Sequence, residues 1–146
     1  MRLYLDTSVF SAYYDERTPE RMTMTRAFWK ELGKYEKLCS ELTQEELEQA
    51  KPEVAQKLMA LTTGFRIIKI DDQTKSLALT YVQEGVVLRK YLSDALHIAA
   101  AVRGDADILA SWNFRHLVRR STRLLVNSVN AKFGLRTIEI LAPPEI

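Results

Sequence analysis

Five short runs rich in β-branched and other apolar residues, Leu3 to Leu5, Lys37 to Ser40, Arg66 to Ile70, Ile108 to Ser111 and Thr137 to Leu141, alternate with longer helical patterns. Each run has the length and character of a buried strand. The helical stretches carry their own starts and stops. Thr18-Pro19 supplies an N-cap and a proline at the first helical position, opening a helix that runs toward Gly33. Thr43-Gln44-Glu45-Glu46 has the spacing of a capping box, and Lys51-Pro52 restarts or kinks the helix, which continues to about Thr62. Asp71-Asp72 caps another helix, closed near Gly85. Ser93-Asp94 opens a strongly apolar one, Ala95 to Val102, with Gly104 placed as its left-handed stop. Strands separated by helices long enough to be crossovers predict a mostly parallel five-stranded sheet covered on both faces, a three-layer α/β/α domain. With no internal repeat, linker or low-complexity tract, one domain is expected over residues 1–146, with structure stopping at Pro143-Pro144.

Composition narrows the class without changing this picture. At 146 residues, 47% hydrophobic and 27% charged, the chain is neither collagen-like, disordered nor a long coiled coil. It is long enough to bury a core without staples. No run approaches the roughly 18 to 20 apolar residues of a membrane span. One cysteine, Cys39, excludes an intramolecular disulfide and a Cys-rich metal cage, and is expected to be buried and inert. The opening Met1 to Asp6 reaches an acid before a signal-peptide core could form, so a cytoplasmic location is expected.

Charge is uneven. Up to Gly85 there are 12 Lys/Arg against 14 Asp/Glu; from Val86 onward there are 9 against 5. Arg115, Arg119, Arg120 and Arg123 follow one another with no acid among them, either a phosphate-facing strip or a solvated helix face.

In an open parallel sheet, chemistry gathers at the carboxyl ends of the strands. Four polar residues fall there: Asp6 after the first strand, Glu46 on the helix after the second, Asp94 at the start of the apolar helix, and Asn113 after the fourth strand. Glu41 and Glu45 compete with Glu46. Each acid also has a structural reading: Asp6 and Asp94 as helix caps or dipole partners, Glu46 as half of a capping box. Asp6 and Asp94 lie among Leu, Val, Ile and Ala, where a lone carboxylate is costly unless paired, and a metal would pair it. An oxygen-only cluster suits Mg²⁺ or Mn²⁺, whose natural chemistry here is phosphodiester hydrolysis. His97 and His116 are not spaced as a zinc pair on one helix. His97, one turn after Asp94, either reaches the cluster or packs in the core. Trp112 and Phe114 either stack on a base or pack against the core or a partner.

These residues resemble a PIN domain, the family that contains the VapC-type toxins of bacterial toxin–antitoxin pairs. The resemblance spans LYLDTSVFSAYYD, CSELTQEELEQA, SDALHIAAAVRGDADILASWNFRHL and RLLVNSVNAKFGLRTIEILAPPEI. It implies a PIN-like parallel sheet flanked by helices and a Mg²⁺-dependent ribonuclease site built from acids. Its first acid falls on Asp6, its second on Glu46 and its third on Asp94, and its hydroxyl falls on Thr7 or Ser8. The usual fourth acid is replaced by Asn113, in Ser111-Trp112-Asn113. Asp107 lies at the opposite end of that strand and stays outside the site.

The sequence therefore reads as a metal-dependent endoribonuclease, the toxin of a toxin–antitoxin module. Asp6, Glu46 and Asp94 hold the ion, and Asn113 supplies an amide oxygen or positions water. Thr7, Ser8, His97, Arg115 and Arg119 orient ligands or substrate. The expected partners are RNA, a cognate antitoxin whose basic side chain enters the acidic pocket, and a second copy in a homodimer. Asn113 sustains the rival reading, a catalytically weakened PIN-like module that binds RNA or protein. A phosphate-transferring α/β enzyme fits poorly, because no Gly-rich P-loop or dinucleotide fingerprint occurs.

Overall fold

A computed structural model describes residues 1–146. The elements in chain order are β1 (Arg2–Leu5), α1 (Thr7–Ala12), α2 (Pro19–Lys30), β2 (Glu36–Ser40), α3 (Glu41–Glu48), α4 (Pro52–Ala60), β3 (Arg66–Ile68), α5 (Asp72–Gln83), α6 (Leu92–Arg103), β4 (Ile108–Ala110), α7 (Arg120–Lys132) and β5 (Glu139–Leu141). The five strands form one sheet in the order β3-β2-β1-β4-β5, and every neighbouring pair is parallel. Helices cover it in an α/β/α arrangement. No helix is long and apolar enough to cross a membrane.

The interior follows from the unbroken apolar runs, since strands covered on both faces need no alternation. Leu3, Tyr4, Leu5, Leu38, Leu109 and Ile140 are buried. Against the sheet, α6 presents Ala95, Ala99, Ala100 and Ala101, small side chains that let the helix approach β2, β3 and β4 closely.

Several local expectations are corrected. The capping box is Ser40 with Thr43: the Ser40 hydroxyl accepts from the Thr43 amide at 3.3 Å, and the Thr43 hydroxyl accepts from the Ser40 amide at 3.2 Å. So α3 starts at Glu41, and Glu46 lies on its second turn, free of capping. Helix α6 starts at Leu92 after a 3₁₀ turn over Arg89–Tyr91, with Asp94 in its first turn. Gly104 is not left-handed; Asp105 takes the positive φ of 58°. Gly104 is required for close approach instead, since a Cβ there would lie 2.8 Å from Ile68 Cδ1. Strand β3 stops at Ile68, because its partner Ser40 is the last residue of β2. Strand β5 begins only at Glu139, and α2 ends at Lys30, followed by a 3₁₀ turn over Leu32–Lys34. Structure does not stop at Pro143-Pro144: Pro143–Glu145 form a 3₁₀ turn against α2, and Pro143 is buried.

The strand order decides where chemistry can occur. From β1 the sheet extends to β2 and β3 on one side and to β4 and β5 on the other. The topological switch point therefore lies between β1 and β4, where an open α/β sheet leaves a crevice beyond the strand ends.

Candidate active site

Asp6 is the first residue past β1 and is 4% exposed. It caps α1, accepting from the amides of Ser8 at 3.0 Å and Val9 at 3.4 Å. The Ser8 hydroxyl donates to Oδ1 at 2.5 Å, and the Ser111 hydroxyl, from the end of β4, donates to Oδ2 at 2.5 Å. The structural and site readings of Asp6 are thus compatible. Burial raises its carboxyl above the usual range, against the opposing charge of His97 and the Ser111 and Ser8 hydroxyls.

Glu46 reaches the same strand ends from α3. The Thr7 hydroxyl donates to its Oε1 at 2.7 Å, and His97 Nε2 lies 2.6 Å from the same oxygen. Burial opposes its ionised form, but the His97 and Thr7 contacts prevail and hold the carboxyl below its usual value. His97 is 3% exposed, and its Nδ1 lies 2.8 Å from the Tyr4 hydroxyl, which also donates to Ser40 at 2.8 Å. The imidazole is therefore fixed from both sides, and its charge acts on Asp6, Glu46 and Asp94 alike. Glu41 is engaged elsewhere, accepting from the Ile70 amide at 2.8 Å, and Glu45 is exposed.

Asp94 projects from the first turn of α6. Asn113 Nδ2 donates to its Oδ1 at 3.3 Å, and His116 Nδ1 lies 3.0 Å from its Oδ2. Asn113 Oδ1 accepts from the His116 amide at 3.0 Å, so one amide closes the turn after β4 and orients the acid. The His116 ring lies over Tyr91 with centroids 3.8 Å apart. Burial raises the Asp94 carboxyl, as does the charge of Glu46, while His116 and His97 oppose it. The sequence reading did not place His116 or Ser111 here. The signal available for His116 was its position three residues after Asn113, the spacing of a side-chain-capped turn.

The donor chemistry, carboxylate oxygens at the end of a parallel sheet, suits a hard divalent cation. Asp6 and Asp94, raised by burial, are carboxylates that a positive charge would stabilise. As they stand, the acids are each drawn to their own protein donors, and no three His, Cys, Asp or Glu side chains are close enough to enclose an ion. Loading would require the carboxylates to draw together. Glu46 Oε2 accepts no hydrogen bond within the protein.

Other candidates lie apart. Arg115, Arg119 and Arg120 are exposed beyond Asn113, with Arg119 Nε donating to Thr122. Arg123 points to Glu145 at 3.4 Å. Trp112 is a core residue, 6% exposed, whose indole N–H donates to Thr25 at 2.9 Å. Cys39 is buried and its thiol is pushed up to about 12, which leaves it unreactive. Asp107, at the far end of β4, accepts from the Arg2 amide and pairs with Arg136.

No protein-family model matches the chain, and no curated protein matches it in sequence. Solved structures do. Over 97% of its length the chain is similar to 98% of a chain of VapBC2 from Rickettsia felis, solved bound to a DNA fragment from their promoter, with 14% identity and a TM-score of 0.56. Over 99% it is similar to 99% of a chain of VapBC-1 from nontypeable Haemophilus influenzae, with 13% identity and a TM-score of 0.59. The chain has a PIN-like fold. At such identities the likeness concerns the fold, and the all-parallel sheet carries it. In this PIN-like chain Asp6, Glu46 and Asp94 come to one end of the sheet, each held by its own donors, although 88 residues of sequence separate the first from the last (94 − 6 = 88).

Proposed function

We propose that the protein is a ribonuclease that hydrolyses RNA phosphodiester bonds and serves as the toxin of a toxin–antitoxin module. The observation that supports this reading is that Asp6, Glu46 and Asp94 stand at one end of the sheet of a PIN-like fold, beside the β1/β4 switch point, each aimed by its own donors. Mg²⁺ or Mn²⁺ held by these acids would polarise the phosphoryl oxygen and lower the pKa of an attacking water. The chain's own residues orient the carboxylates. Ser8 and Ser111 fix Asp6, Thr7 and His97 fix Glu46, and Asn113 and His116 fix Asp94; such outer partners are typically worth 10- to 100-fold in metal affinity or activity.

Arg119 and Arg120 start α7, whose first turn holds no acid. Cations at the positive end of a helix are locally unfavourable, which a bound phosphate would relieve. Of the basic strip, Arg115, Arg119 and Arg120 are exposed for this purpose, and Arg123 is occupied by Glu145. RNA affinity should therefore fall as salt rises, and the double variant Arg115→Ala/Arg120→Ala should reduce the slope of log affinity against log salt by about 1 to 2. Anisotropy titrations at several salt concentrations check this, and an unchanged slope returns these arginines to a solvated face.

The antitoxin proposal draws on the VapBC structures that share the fold, and a homodimer is proposed beside it, to be tested by sedimentation. The deciding experiment is incubation of the protein with RNA and Mg²⁺, with EDTA as control. Metal-dependent cleavage supports the proposal; intact RNA at every Mg²⁺ and Mn²⁺ concentration overturns it. Asn113 favours a second reading, a weakened module that binds RNA or protein, because it places a neutral amide beside Asp94.

A further inference from the structure

A groove begins beside the residues that hold Asp6 and Asp94. Its first part, about 220 Å³, is lined by Ser8 and Asn113, the residues that touch Asp6 and Asp94, and by Asp15, Thr18, Arg21 and Trp112. Thr18, Arg21 and Trp112 also line a second, larger part of about 600 Å³, which adds Phe114, Met24 and Pro144. The two parts share three residues and so lie side by side, the first bordered by the residues that hold Asp6 and Asp94 and the second by an aromatic wall. The larger volume falls within the roughly 300–1,000 Å³ of small-molecule sites.

Arg21 stands at the junction. Its guanidinium carbon lies 5.0 Å from the Trp112 ring centroid and 5.9 Å from that of Phe114. The side chain forms no ion pair or hydrogen bond within the protein, so the rings position a cation whose donors remain available. Asp15, the acid on the first part, is bound by Arg17 through both carboxylate oxygens, at 2.9 and 3.2 Å. Glu20 is the single acid on the wall of the larger part. Trp112 is buried, whereas Phe114 is 49% exposed, with its ring set edge-on to the indole at 6.2 Å. An exposed aromatic face beside an unpaired guanidinium is the pair of contacts that a nucleotide takes, one for its base and one for its phosphate.

We infer that this groove is a nucleotide subsite of the nuclease centre, in which a base of single-stranded RNA flanking the cleaved bond stacks on Phe114 while its phosphate is held by Arg21. The inference rests on the reading of the acids as a site that acts on RNA. It adds direction to that reading: the strand runs from Asp6 and Asp94 past Ser8 and Asn113 toward α2. A base paired in a helix keeps its faces stacked on its neighbours, so the subsite selects unpaired RNA.

The test is anisotropy with a short fluorescein-labelled oligoadenylate in EDTA, where binding is separated from cleavage, and with the same strand in a duplex as control. Phe114→Ala should weaken oligoadenylate binding about tenfold or more, Phe114→Trp should restore it, and neither should alter the salt slope. Arg21→Gln should weaken binding and lower the salt slope by about 1. Duplex should bind less tightly than single strand. Phe114 is half exposed, so its variants should melt near the parent temperature, which thermal unfolding verifies. Unchanged binding by both Phe114→Ala and Arg21→Gln overturns the subsite, as does a loss in Phe114→Ala that Trp fails to restore. A Phe114→Ala variant that binds RNA normally but changes sedimentation from dimer to monomer assigns the groove to a second copy and also overturns it. Metal-dependent cleavage that is indifferent to Phe114 and Arg21 removes the subsite and leaves the nuclease; Phe114-dependent binding without cleavage does the reverse.

Discussion

Asp6→Asn and Asp94→Asn should each lower RNA cleavage at least about 100-fold, the equivalent of roughly 3 kcal/mol of lost transition-state stabilisation. Either change removes charge from the carboxylate group while keeping side-chain size. The fold should survive both, and for Asp6 it should become more stable when no metal is present. Burial raises the Asp6 carboxyl. A group that holds its proton more tightly folded than unfolded stabilises the fold below its unfolded value, and loses that contribution as pH rises through the folded one. Wherever Asp6 is ionised in the folded protein, its charge is therefore a cost that a neutral side chain removes. Asn at this position can still accept from the Ser8 and Val9 amides and the Ser8 hydroxyl and can donate toward Ser111 Oγ, the four contacts now made by the carboxylate. A rise in Tm of a few degrees in EDTA, the effect of about 1 kcal/mol in a domain of this size, should accompany the loss of cleavage. The stability difference between parent and variant should shrink as pH falls toward the ordinary carboxylate range. Parental cleavage rates in either variant would remove that acid from the site.

Asn113→Asp should have the opposite signature. The native amide donates to Asp94 Oδ1 at 3.3 Å and accepts from the His116 amide at 3.0 Å. Asp keeps the second contact, since a carboxylate accepts, and turns the first into two carboxylates in contact. Like charges about 4 Å apart interact by about 4 kcal/mol at an effective dielectric of 20, and a shared proton relieves part of this. In EDTA the variant should lose on the order of 1 to 3 kcal/mol, with a Tm lower by several degrees. Added Mg²⁺ or Mn²⁺ should reverse the loss, because the cation then offsets the repulsion. Metal affinity should rise about tenfold or more, and cleavage should rise with it if occupancy limits the native rate. Calorimetric titration and thermal unfolding with and without metal measure both halves. An affinity equal to that of the parent would mean that position 113 does not face the ion.

What was legible in the sequence was short in range. Buried strands appeared as apolar runs, because a strand covered on both faces needs no polar alternation. Helix starts such as Asp71 appeared because a capping side chain bonds an amide three residues on; Asp71 does accept from the Thr74 amide at 2.9 Å. The crossovers, each with a helix, made a parallel sheet the natural result, and the strand-end rule drew attention to Asp6, Glu46, Asp94 and Asn113. Where two nearby signals competed, as Ser40 and Thr43 did for the start of α3, the sequence pattern chose wrongly. Both hydroxyls can cap, and the end of β2 decided which one did.

Tertiary structure alone decided the partners. Nothing near position 97 announces that His97 will join Glu46, 51 residues away, to Tyr4, 93 residues away. Nothing near Gly104 announces Ile68, which excludes a Cβ there. The same holds for His116 on Asp94, for Ser111 on Asp6, and for Arg21 between Trp112 and Phe114. Periodicity and capping are set by backbone dihedral angles and contacts within one or two turns, so they are written locally. Which side chains meet at the switch point depends on strand order and helix placement, which the packing of the whole core determines.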